Sequence, residues 1–134
     1  MIDAKSKTSS DAKTVLVVED EEVLRNMVRS ILEDCGYRVL DAESGDQALE
    51  LWREQGGKID LLLTDIVLPR GISGTEVASR LREQHPQLKV AFTTGRAARD
   101  LDLKAFEKIN ARFLQKPYQH DDLIQMVRDA LKGP

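Results

Sequence analysis

Glu19 and Asp20, Asp65, the pair Thr93-Thr94, and Lys116 are the residues of this chain whose types and spacing could do chemistry together. Taken one at a time, each has an ordinary structural explanation. An acidic pair at a helix start serves the helix dipole. An Asp after a strand caps a turn, a Thr before Gly sits in a turn, and a Lys after a strand is solvated. The argument for a site lies in their recurrence, since each follows a short apolar run of strand type. Brought together, three carboxylates repel one another and raise at least one pKa unless a cation sits among them. A donor set of oxygens with no His or Cys suits Mg²⁺, which takes one or two carboxylates and keeps several waters. Zinc is disfavoured, because neither His85 nor His120 belongs to a ligand-spaced cluster. A metal, an ammonium and a hydroxyl around one carboxylate would neutralise and hydrogen-bond a phosphoryl group. Asp65 would then be a carboxylate nucleophile that forms an acyl phosphate.

The elements that must position these groups are readable from apolar patterning. Val15–Val18 is a buried strand running into the acidic helix start Glu19–Glu22. Val23, Leu24, Met27, Val28, Ile31, Leu32 and Cys35 recur at helical spacing, and Gly36 stops that helix. Tyr37–Leu40 is a second strand, and Ser44 caps a second helix that ends at Gly56-Gly57. Ile59–Thr64 is the third strand, delivering Asp65 to its carboxyl end. Leu68 to Gly74 is a loop, and a third helix through Val77, Ala78 and Leu81 closes at His85-Pro86. Leu88–Phe92 and Phe113–Gln115 are the fourth and fifth strands. Arg96–Asn110 allows only a short or irregular helix, and a final helix begins at His120–Asp122. Strands alternating with helices through short links predict an α/β fold: a doubly wound parallel five-stranded sheet with helices on both faces. All strand carboxyl ends then lie along one edge, where such sheets bind ligands.

Bulk properties narrow the classes. The 134 residues allow one domain, and a net charge of −3 argues against a dominant nucleic-acid footprint. Aromatics at 4% make a stacking platform for single strands a poor fit. The single cysteine excludes an internal disulfide, and Cys35 is expected to be a small buried hydrophobe. Residues 1–12 are polar without an apolar core, so a flexible tail is expected, with the domain spanning 13–132. No apolar run is long enough to span a bilayer, and a cytoplasmic location is expected. Arg96, Arg99, Lys104, Lys108 and Arg112 are read first as a solvated face, with a docking patch for an acidic partner as the alternative.

Val15-Leu16-Val17-Val18-Glu19-Asp20-Glu21, Leu63-Thr64-Asp65-Ile66-Val67-Leu68-Pro69, Phe92-Thr93-Thr94-Gly95 and Phe113-Leu114-Gln115-Lys116-Pro117 together resemble the receiver domains of two-component response regulators. The resemblance covers Lys13 to Lys132 and implies a flavodoxin-like (βα)5 fold with strand order 2-1-3-4-5. It implies Asp65 as phosphoacceptor and Asp20 as the main Mg²⁺ ligand, assisted by Glu19 and the backbone carbonyl of Val67. Lys116 would pair with phosphoryl oxygens. Thr94, directly before Gly95, would be the switch hydroxyl with Thr93 as runner-up, and Phe113 the switch aromatic. A cis Lys116-Pro117 bond is implied as well.

The implied partners are a sensor histidine kinase or histidine phosphotransfer protein as phosphodonor and a further protein as target, with no direct nucleic-acid contact. The domain would not be an enzyme beyond its own phosphorylation and dephosphorylation. Three departures stand out: Glu19 where Asp is usual, a loop from Asp65 to Gly74 one residue longer than is common, and Phe113 without a Tyr hydroxyl. A competing function is a phosphorylation-independent interaction module with the same fold, against which Asp20, Asp65, Thr94 and Lys116 count. A nucleotide or flavin binder is unsupported, because acidic residues stand where a Gly-rich phosphate loop would be needed.

Overall fold

The computed structural model describes residues 12–95 and 104–132. Its elements run β1 (Thr14–Val18), α1 (Glu22–Asp34), β2 (Arg38–Ala42), α2 (Gly45–Glu54), β3 (Leu61–Asp65), α3 (Gly74–Gln84), β4 (Lys89–Thr94), α4 (Lys104–Glu107), β5 (Arg112–Gln115) and α5 (His120–Lys132). The strands form one parallel sheet in the order β2-β1-β3-β4-β5. The anticipated architecture and strand order are both present. The anticipated tail falls almost wholly outside the described residues, as do Arg96 and Arg99.

Both faces of the sheet are covered, which explains why the central strands β1 and β3 read as near-continuous apolar runs rather than alternating ones. Successive residues point to opposite faces. Val15 and Val17 of β1, Leu61 and Leu63 of β3, and Ala91 of β4 pack against Val28, Ile31 and Leu32 of α1 and Leu123, Met126 and Val127 of α5. Leu16, Val18, Leu62, Val90 and Phe92 face the other way, onto Ala48 and Trp52 of α2 and Val77, Ala78 and Leu81 of α3. The chain moves outward from β1 to β2 and then crosses to β3. The connections therefore diverge between β1 and β3, and a crevice opens at their carboxyl ends.

Helix boundaries follow their capping residues. Ser44 accepts from the Gln47 amide and Ser73 from the Glu76 amide, each satisfying an otherwise unpaired first-turn donor. Gly36, at φ +95°, turns the chain back so that the Tyr37 amide bonds the Leu32 carbonyl at 3.1 Å. That reversal corrects the expectation for Cys35, which is exposed at the C-cap of α1. Tyr37, swung back by the turn, packs against the core instead. Val23 is likewise 76% exposed rather than part of the apolar stripe, whereas its neighbour Leu24 packs on the core. The short fourth helix is four residues long, and Phe106 within it meets Phe92 edge-on at 5.0 Å.

Gly74 is the glycine the fold cannot replace. A Cβ there would lie 1.7 Å from the Asp65 carbonyl oxygen and 2.9 Å from Thr64 Oγ1. The Gly74 amide bonds the Ile66 carbonyl at 2.9 Å, so the start of α3 is laced directly to the end of β3. Neither partner is the free end of a flexible side chain, so the overlap has no cheap relief. Gly74→Ala is expected to destabilise the fold by about 3 kcal/mol or more, whereas Ser79→Ala on the exposed face of α3 should stay within about 0.5 kcal/mol. Urea midpoints for the two variants check this; equal midpoints would contradict it.

Candidate functional site

The site occupies the crevice between β1 and β3, completed by the ends of β4 and β5. Its backbone is fixed first. The Ile66 amide bonds the Thr93 carbonyl at 3.1 Å, the Lys116 amide bonds the Thr94 carbonyl at 2.8 Å, and the Glu19 amide bonds the Ala42 carbonyl at 3.0 Å. The loop after β1 is also clamped by Arg25 Nη1, which donates to the Glu19 carbonyl at 2.8 Å. Sequence reasoning missed Arg25, whose position in α1 carries no signal that its guanidinium folds back over the preceding loop.

Lys116 Nζ donates to Asp65 Oδ2 at 2.8 Å and to Glu19 Oε1 at 2.9 Å. Asp65 Oδ1 accepts from Thr93 Oγ1 at 2.7 Å. Glu19, Thr93 and Asp65 are all buried, while Asp20 stands exposed at the mouth. Oxygens of Glu19, Asp20 and Asp65 lie within 4.8 Å of one another, a spacing a cation can bridge. The donors are all oxygen, which suits a hard divalent ion. Among the described residues with buried side-chain nitrogen or oxygen atoms, every such atom has a hydrogen-bond partner.

Electrostatics follow from burial and partners. Burial pushes the Glu19 carboxyl above the usual range, and the Lys116 and Glu21 hydrogen bonds only partly offset this. Burial also works against the Lys116 ammonium, but its bonds to Asp65 and Glu19 outweigh that and raise it, so it stays charged. Burial pushes the Tyr118 phenol up to about 12.

Of the expected site residues, Glu19, Asp20, Asp65 and Lys116 converge. The threonines divide. Thr93 reaches Asp65 because the two are register partners across β3 and β4, whereas Thr94 is turned by the pleat and is only half-buried. In this structure the hydroxyl contact to Asp65 is made by Thr93. Phe113 lies apart on β5, 36% exposed and stacked on Phe92 with ring centroids 5.5 Å apart. The Lys116-Pro117 bond is cis. Trp52 packs near the opposite end of the sheet, donating to Gln84 Oε1 at 3.0 Å, so its fluorescence is a poor reporter of the crevice.

The structure is thus a flavodoxin-like parallel five-stranded sheet that gathers three carboxylates, an ammonium and a hydroxyl at one edge. The sequence matches the response regulator receiver domain over residues 15–128, and the chain belongs to that family. It is similar to the response regulator receiver protein CpdR of Brucella abortus, 36% identical over 119 residues, covering 89% of this chain and 97% of CpdR. It is equally similar to the sensor kinase CckA of the same organism, 36% identical over 132 residues, but spans only 13% of that protein. A response regulator receiver protein from Sinorhizobium medicae superposes with a TM-score of 0.81 at 31% identity, covering 92% of this chain and 98% of that one. The receiver domain of the hybrid histidine kinase CckA superposes at 0.73 with 30% identity, over 88% and 98% of the two chains. The chain is thus a receiver of phosphorelay signalling, in a family that works with histidine kinases and phosphotransfer proteins.

The ammonium's role can be tested through stability. In Lys116→Met the Glu19 carboxyl loses the partner that holds its pKa down, so its folded value rises further above the unfolded one. The folded state then binds more protons through that window, and stability falls as pH rises across it. The variant should lose about 1–3 kcal/mol at about pH 8, after discounting for the partial exposure of Lys116, and less at about pH 5. Urea titrations at the two pH values test this, and a deficit that does not change with pH would refute it.

Proposed function

We propose that Asp65 accepts a phosphoryl group from the phosphohistidine of a sensor histidine kinase or phosphotransfer protein, within a receiver spanning residues 13–132. The observation that carries this reading is the Asp65 carboxylate held between the Lys116 ammonium and the Thr93 hydroxyl, beside two further carboxylates. Lys116 is placed to stay charged beside an incoming dianion and to pair with its oxygens. Glu19, Asp20, Asp65 and the Val67 carbonyl would hold Mg²⁺, which when bound supplies charge neutralisation for the phosphoryl group. Val23 in the first turn of α1 and Val67 in the loop after β3, apolar yet exposed at 76% and 50%, would give a donor an apolar surface to dock on.

The added dianion would draw Lys116 and the Thr94 hydroxyl toward it. Thr94 ends β4, and Phe92 two residues earlier touches both Phe106 and Phe113. A shift at Thr94 therefore reaches the packing of Phe113 and biases the surface of α4, β5 and α5 between two states, read by a protein partner. Acceptance and loss of the phosphoryl group would be the chain's own chemistry, in a cytoplasmic setting. The alternative, an interaction module without phosphorylation, is not favoured by the family match.

Incubation with acetyl phosphate and Mg²⁺ is expected to add one phosphoryl mass that is labile to alkali and absent in Asp65→Asn. No addition, or addition that survives the substitution, would overturn the reading. Mg²⁺ alone should shift amide resonances around Glu19–Glu21 and Asp65–Leu68, with affinity falling about ten-fold or more in Asp20→Asn. Unchanged affinity in that variant would remove Asp20 from the ligand set.

A further inference from the structure

We infer that Thr93 is a positioning residue that assigns different jobs to the two oxygens of Asp65, a role separate from that of its neighbour Thr94. The inference rests on the phosphoacceptor reading of Asp65.

Asp65 is pinned at three atoms. Its backbone carbonyl accepts from Thr64 Oγ1 at 2.9 Å, its Oδ1 from Thr93 Oγ1 at 2.7 Å, and its Oδ2 from Lys116 Nζ at 2.8 Å. Thr64 and Thr93 are 1% and 5% exposed, so neither bond exchanges readily with water. The Thr93 contact is built into the sheet, because Asp65 and Thr93 are paired across β3 and β4 and project to one face. A free carboxylate rotates and offers either oxygen. Here Oδ1 is committed to a buried hydroxyl, and Oδ2 is turned to the ammonium and the crevice. Oδ2 is therefore the nucleophile. It forms the O–P bond as the donor's bond to phosphorus breaks and the leaving group keeps that electron pair. Oδ1 becomes the carbonyl oxygen of the acyl phosphate and remains bonded to Thr93. Fixing that geometry beforehand removes rotational freedom from the reacting group.

Thr94 has no such contact. One residue further along the strand it is turned to the face of Phe92, and it must move to meet a phosphoryl group. The two threonines thus serve different moments: Thr93 before and during transfer, Thr94 after it.

The test compares Thr93→Val, which keeps shape and loses the donor, with Thr93→Ser, which keeps the donor and loses a methyl. With acetyl phosphate at saturating Mg²⁺, Thr93→Val is expected to lower the maximal phosphorylation rate about ten-fold, with half-saturating donor concentration little changed. Thr93→Ser should restore most of the rate, even if its urea midpoint is the lower of the two. A packing role would give the opposite order, with Val active and Ser impaired, and would overturn the inference. So would a Thr93→Val rate equal to that of the unmodified protein. If the unmodified protein takes up no phosphoryl group at all, the phosphoacceptor reading itself fails, and that outcome is distinguishable from the other two.

Discussion

One ammonium holding two buried carboxylates is the contact on which the functional edge of this molecule depends. Lys116 lies 97 residues from Glu19 and 51 from Asp65, so the triad closes only when β1, β3 and β5 are all in place. Opposite charges at such separations inside a partly desolvated crevice interact far more strongly than at the surface. Desolvation of all three groups offsets much of that gain, so the triad adds little net stability. Its value lies in placement, because it leaves an oriented carboxylate inside the crevice with further oxygen donors beside it.

The scaffold supplies that placement through the backbone. Parallel register aligns Asp65 with Thr93 and Thr64 with Phe92, so every strand ends at nearly the same height. Helices on both faces keep the middle of β1, β3 and β4 apolar, and the polar groups of the site stand where those strands stop. Gly74 lets α3 start directly against the Asp65 carbonyl, which shortens the exit from β3 and keeps the nucleophile on a rigid strand end. Chemistry is thus carried by loop-proximal side chains, while their precision comes from the sheet.

Much of this was legible in the sequence, for identifiable reasons. Alternating apolar runs and helical stripes, punctuated by Gly36, Ser44, Gly56-Gly57 and His85-Pro86, marked the elements because local capping and turn chemistry decide their ends. The carboxylates and lysine were readable because each directly follows such a run. The division between Thr93 and Thr94 was not, since register across β3 and β4 decides which hydroxyl shares a face with Asp65, and pairing register is a tertiary property. Cys35 and Val23 matched a helical stripe but stand exposed at the two ends of α1, where tertiary packing rather than spacing decides burial. Arg25 escaped notice because its job is to satisfy backbone carbonyls, which leave no trace in residue type.

The central claim is that phosphoryl transfer ends on the carboxylate held by Lys116. Borohydride reduction of the phosphorylated protein, followed by peptide mass spectrometry, reads this directly, because an acyl phosphate is reduced to an alcohol while free carboxylates are untouched. Homoserine at position 65, with Glu19 and Asp20 unaltered, is the expected result. Reduction at Glu19, at Asp20 or at a residue outside the crevice would contradict it.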